Sequence, residues 1–207
     1  MCRGNNKQNI FNTDRDKLRY YFLIRELKED NKITIYHYCF MSNHLHLVVW
    51  LTAKSKLSKF MKQLNLSYFS YYKKRNDYTG HLWQGRFKSN IIDTDAYLLQ
   101  CGKYIELNPV RKGIVRLPEE YKFSSYNHYA KGDVDSIITD NPVFIGLSDY
   151  EAGRRRQYIE FVVDSSIINT DRLTKHPFIG NDNFVKGLQE YYGIKTGSLA
   201  RGRPKKK

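Results

Sequence analysis

Residues 32–51, "KITIYHYCFMSNHLHLVVWL", decide how this chain folds. Ile33, Ile35 and His37 alternate with Thr34, Tyr36 and Tyr38, a break falls at Ser42 and Asn43, and a second apolar run follows. A period of two on both sides of a short polar break predicts two antiparallel strands joined by a tight turn. In the second strand Leu45, Leu47, Val49 and Leu51 take one face and His44, His46, Val48 and Trp50 the other, because alternate side chains leave a strand on the same side. The first face is expected to pack against helices and the second to carry two imidazoles side by side.

Outward from this hairpin the period changes. Thr13 followed three residues later by Asp16 marks a helix over about 14–29, with Leu18, Tyr21, Phe22 and Leu27 as its stripe. Beyond Ser55, Leu57, Phe60, Met61, Leu64, Tyr68, Tyr71 and Tyr72 recur at helical spacing, rimmed by Lys56, Lys59, Lys62, Lys73 and Lys74. That rim reads equally as a solvated face and as a phosphate-tracking surface. A strand is predicted near 87–92, then a helix opened by Thr94 or Asp95 and stopped by Pro109. The order helix, strand, strand, helix, strand, helix predicts an α+β fold, an antiparallel sheet with helices on one face. Past residue 128 the composition loosens. Ser148 with Glu151 predicts a helix reaching about Val163, and 181–192 another, closed by Gly193. These form a small helical extension over 129–200, and five basic residues among the last seven make 201–207 a basic tail.

The chain of 207 residues carries 35 Lys and Arg against 21 Asp and Glu, a net charge of +14 and a pI near 9.6. Such an excess points to a polyanionic partner. Seventeen Tyr and eleven Phe interleave with that charge, a mixture suited to stacking bases while holding phosphates, although most of the rings are expected simply to fill the core. Cys2, Cys39 and Cys101 are odd in number and form no CxxC, which argues against a disulfide framework or a zinc site and fits a reducing cytoplasm. No apolar run approaches a membrane span, the N-terminus is polar where a signal peptide needs an apolar core, and no P-loop occurs. A cytoplasmic protein without a membrane partner is expected.

Gln100, Tyr104 and Asn108 make a hydrogen-bonding stripe on the helix after 95. Facing His44 and His46, that stripe would assemble two imidazole nitrogens, an amide oxygen and a phenol, a mixed N/O set that suits Mn²⁺ and, less closely, Mg²⁺. Taken singly these residues have plainer readings: two satisfied histidines, and one tyrosine among many, with Tyr97 on the same face as a rival. His81 could touch phosphate from its turn, and His37 reads as structural.

Three separated motifs, "MSNHLHLVV" (41–49), "GHLWQGRF" (80–87) and "YIELNPVRKGIV" (104–115), make residues 3–128 resemble the HUH-type single-tyrosine transposases, in the group related to the IS200/IS605 transposase and called REP-associated tyrosine transposases. The resemblance implies a ferredoxin-like catalytic domain over 1–128, a divalent metal ion (Mg²⁺ or Mn²⁺) held by His44, His46 and Asn108, and Tyr104 as nucleophile. It implies cleavage and transfer of single-stranded DNA beside a hairpin through a 5′-phosphotyrosine, in a bacterial cytoplasm. Trp83, Gln84, Arg86 and Phe87 match a family segment expected to contact DNA or support the site, with Lys88 and Arg111 as further phosphate contacts. Arg201 and Arg203 of "RGRP" resemble an AT-hook or serve a basic tail. Relatives have a strand before the segment matching "RGNN", for which only Met1 and Cys2 stand here, so a truncated first strand with unpaired backbone, low stability and weak activity is expected. A noncatalytic DNA-binding protein or regulator on the same fold is the other reading, and monomer and homodimer both fit.

Overall fold

The computed structural model describes residues 1–93, 95–164 and 178–193. Thr94 as a helix cap, and Arg201, Arg203 and the whole tail 201–207, lie outside the described residues. β1 is Cys2–Arg3, α1 Asp14–Leu27, β2 Thr34–Met41, β3 His44–Trp50 and α2 Leu57–Asn76. The predicted hairpin is present, with Met41 opposite His44, Cys39 opposite His46 and His37 opposite Val48, and a bulge between Ile35 and His37. The sheet order is β1-β3-β2, antiparallel throughout.

Met1 and Cys2 were expected to leave the sheet unpaired beside the histidine strand; Cys2 and Arg3 instead pair with Leu45 and His44. The other edge of this short strand is covered from 80 residues away. Asn5 N donates to Leu82 O, Gln84 N to Arg3 O and Lys88 N to Met1 O, each at 2.9 Å. The backbone groups at the N-terminal end of the sheet are therefore satisfied on both sides of β1. This use of 82–88 also explains why the strand predicted over 87–92 shrinks to β4, Ile91–Ile92, which pairs in parallel with β5, Phe178–Ile179, outside the main sheet. Gly85, at φ 146°, turns the chain within the segment.

α1 and α2 cover the Phe40 and Leu45 face. Tyr20 of α1 meets Phe40 at 5.6 Å between ring centroids and Tyr68 of α2 at 5.1 Å. The predicted N-terminus of α1 is built by Asp16, whose Oδ2 accepts the N–H of Thr13 at 2.8 Å and of Asn12 at 3.0 Å. Its Oδ1 takes the Tyr71 hydroxyl at 2.9 Å and faces Arg75 Nε at 3.4 Å, so one buried carboxylate both caps α1 and ties it to α2.

The opposite, histidine-bearing face is covered by α3 (Asp95–Glu106), followed by the short α4 (Asn108–Arg111). The break at Leu107 follows from Pro109, which has no N–H to give. α5 (Tyr126–Lys131), α6 (Pro142–Ile145) and α7 (Glu151–Val163) come next, and α8 (Asp182–Tyr191) follows β5. Leu99 of α3 shares a second apolar cluster with Tyr126, Tyr129, Phe144, Tyr158 and Val162. The expected boundary at residue 128 falls inside α5. α7 has its predicted extent, but Tyr150 stands at its N-cap position, where Ser148 Oγ accepts the Tyr150 N–H at 3.3 Å and Glu151 pairs with Arg155. Among the described residues no helix is long and apolar enough to cross a membrane.

Candidate active site

The strand register fixes the imidazoles. His44 and His46 project from one face of β3, ring centroids 5.1 Å apart and nearly perpendicular. α3 lies over that face and brings Tyr104 edge-on to His46, 6.2 Å between centroids at 85°. The two halves of the expected constellation therefore meet across the space between strand and helix. Tyr104 is half-buried, and Asn108, one turn on, is buried.

Both histidines are held neutral. Burial, and then the cations Arg3 and Lys112, push the His44 imidazole down to about 4. Burial, and then the His44 charge, keep His46 well below the usual histidine range. His44 Nδ1 lies 2.6 Å from Asn43 Oδ1; an amide oxygen only accepts, so Nδ1 carries the proton and Nε2 keeps a free lone pair. The Asn108 amide nitrogen is buried with no hydrogen-bond partner. Among the described residues no group of three or more His, Cys, Asp or Glu is placed to hold a metal ion. Two neutral imidazoles fit a divalent ion of mixed N/O preference, to which Asn108 would add its amide oxygen and not the unpartnered nitrogen, a donor only.

Arg111 engages Tyr104 twice. Its Nη1 donates to the Tyr104 carbonyl at 3.0 Å, and its guanidinium carbon stands 4.9 Å from the phenol ring centroid. A cation there restrains the ring. Arg3 and Lys112, close enough to shift His44, are cations that sequence pattern did not single out; the register of Arg3 opposite His44 is a tertiary fact with no local signal.

Trp83 anchors its loop. The indole lies 6.2 Å from Tyr20 and 6.0 Å from Tyr68, and its Nε1 donates to Asn65 O at 3.2 Å. Of the two roles expected for this segment, Trp83 takes support, while Gln84, Arg86 and Lys88 are exposed. His37 is fully buried and hydrogen-bonded at both ring nitrogens, in keeping with its structural reading.

A family model described as "Transposase IS200 like" matches residues 1–108. A protein of Haemophilus influenzae named for the REP-associated tyrosine transposases is 27% identical over 138 residues, covering 58% of this chain and 78% of its own length. The solved structure of a REP-associated tyrosine transposase bound to a REP hairpin is 21% identical, covers 73% of this chain and 86% of that one, and superposes with a TM-score of 0.50, a likeness of fold.

Proposed function

This chain belongs to the IS200-like transposase family, and from that premise we propose that it is a metal-dependent single-strand DNA endonuclease and strand transferase that acts beside DNA hairpins through a 5′-phosphotyrosine. The observation that carries the reading is the edge-on meeting of Tyr104 with the His44 and His46 pair. The solved relative bound to a REP hairpin supports a hairpin as the DNA partner.

Tyr104 is the nucleophile. Its phenol oxygen attacks the scissile phosphorus, the bond from phosphorus to the 3′-oxygen breaks, and the proton released by the phenol ends on that oxygen. One phosphodiester has replaced another, so the reaction runs back readily when a different 3′-hydroxyl attacks, and joining needs no nucleotide cofactor. A free tyrosine is almost wholly protonated at neutral pH and so a weak nucleophile, and the Arg111 guanidinium beside the ring holds the phenol in place for its attack. Mg²⁺ or Mn²⁺ held by His44, His46 and Asn108 would, when bound, polarise the phosphoryl oxygen and orient it for in-line attack. Arg3, Lys112, Arg86, Lys88 and Gln84 hold the strand on either side.

A hairpin oligonucleotide with a labelled single-stranded flank tests this. With Mn²⁺ the wild-type chain should give a covalent adduct on a denaturing gel, lost with chelator and lost in Tyr104→Phe but kept in Tyr97→Phe. An adduct that survives Tyr104→Phe, or a mobility shift with no adduct, defeats the assignment; the second outcome leaves a DNA-binding protein.

A further inference from the structure

α3 has two sides, and only one of them faces His44 and His46. At 100° per residue, Lys103 and Glu106 project from the flank away from Tyr104, and Gly102 and Leu99 lie with them. That flank is held by His37 of β2 and by parts of the chain beyond the family match, which ends at Asn108.

Glu106 is fully buried. Its Oε1 accepts the Ser125 hydroxyl at 2.5 Å and faces His37 Nδ1 at 2.9 Å, and its Oε2 accepts the Tyr158 hydroxyl of α7 at 2.6 Å. The proton arrangement follows from one amide. Asn141 Oδ1 accepts the Val143 N–H at 2.8 Å, which turns Asn141 Nδ2 to His37 Nε2 at 3.1 Å. Nε2 is then the acceptor, so Nδ1 carries the proton and donates to Glu106. Ser125, His37 and Tyr158 all donate to one carboxylate while Asn141 donates to His37 behind it, and these partners come from β2, α7 and the residues just before α5 and α6. Burial and the carboxylate keep the Tyr158 phenol far above the usual tyrosine range, so it stays a donor.

The second tie is Lys103, the residue before Tyr104. Its side chain is buried, and Nζ donates to the carbonyls of Phe161 at 2.7 Å and Asp164 at 2.5 Å. A cation at the C-terminus of α7 meets the negative end of that helix and satisfies two of its last carbonyls. The residues on either side of Tyr104, at one step before and two steps after, are thus both bonded to α7, and Tyr104 itself is not.

We propose that α7 is a positioning element for the reacting tyrosine: Tyr158, through Glu106, and the carbonyl end of α7, through Lys103, set the depth and rotation of α3 and so the distance of Tyr104 from the histidine pair. The role assigned to Tyr104 is taken from the proposed function. Neither Tyr158 nor Glu106 is a catalytic residue; they act through the helix they hold. The C-terminal extension is then part of the active-site machinery, with no need to touch DNA.

Tyr158→Phe in the full chain removes one hydroxyl and keeps the ring in its cluster. Three readouts are compared with wild type: the single-turnover rate constant for adduct formation at saturating hairpin oligonucleotide, the dissociation constant for that oligonucleotide, and amide hydrogen exchange across the chain. The rate constant should fall about 10- to 100-fold, the scale of a 1 Å misplacement. The dissociation constant should stay within about twofold, and exchange should quicken about tenfold or more at 103–108 while α1 and α2 are unchanged, as expected for local loosening. An unchanged rate constant with unchanged exchange overturns the proposal, as does a rate loss matched by equal loosening of α1 and α2. If the wild-type chain forms no adduct while Tyr158→Phe still loosens 103–108 selectively, the role of Tyr104 fails and the clamp stands.

Discussion

Gly102→Ala asks how tightly α3 is seated. A Cβ at position 102 would lie 2.6 Å from His37 Cε1 and 2.8 Å from both ring nitrogens. Ordinary carbon contact begins near 3.4 Å, so helix and ring must part by about 0.8 Å. The ring cannot give way, because Glu106 and Asn141 hold it from both sides at 2.9 and 3.1 Å. Overpacking of this kind costs about 1–3 kcal/mol, and replacing a helical glycine by alanine returns about 1 kcal/mol. The net loss is about 0–2 kcal/mol, a fall in Tm of up to roughly 8 °C for a chain of this size by thermal melting. Since the displaced residue is two before Tyr104, adduct formation should drop about 10- to 100-fold with hairpin affinity unchanged. A rise in Tm, as a relaxed helical glycine would give, together with wild-type adduct kinetics, refutes the close-seating argument.

Arg111→Gln removes the cation beside Tyr104 and should lower the adduct rate constant at least about tenfold while Tm moves by less than about 3 °C, read by the same gel assay and a thermal melt. Arg86→Ala and Lys88→Ala should each lessen the salt dependence of single-strand binding by about 0.7 in the slope of log K against log salt, and a slope unchanged in both removes that loop from the DNA surface. Burial pushes the Cys101 thiol up to about 12 and raises Cys2 and Cys39 as well. The native chain should therefore leave a thiol reagent such as DTNB unreacted at pH 8 and release three equivalents on denaturation, with fast native reaction at Cys101 as the contrary result.

The hairpin 32–51 was legible because alternation is local: once Ser42 and Asn43 break the run, the face carrying His44 and His46 follows. The partnership of Tyr104 with those histidines needed the motif resemblance, since spacing alone places Tyr97 on the same helix face. What sequence did not show is the pairing that runs across the chain. Residues 82–88 carry no strand pattern, yet they complete the sheet by bonding to residues 1–5, and Trp83 serves there as an anchor among Tyr20 and Tyr68. Glu106 looked like any helical glutamate. A signal was present in Gly102 one turn before it, because a glycine inside a helix marks a close approach, and here the approach is to His37. The partners Tyr158 and Ser125 could be found only from the fold.

The central claim is that Tyr104 is the residue that takes the 5′-phosphate. Digestion of the wild-type chain after reaction with a hairpin oligonucleotide and Mn²⁺, followed by mass spectrometry of the nucleotide-bearing peptide, tests it most directly. A phosphodiester on Tyr104 alone is expected; the same mass on Tyr97, or on any other side chain, contradicts that role.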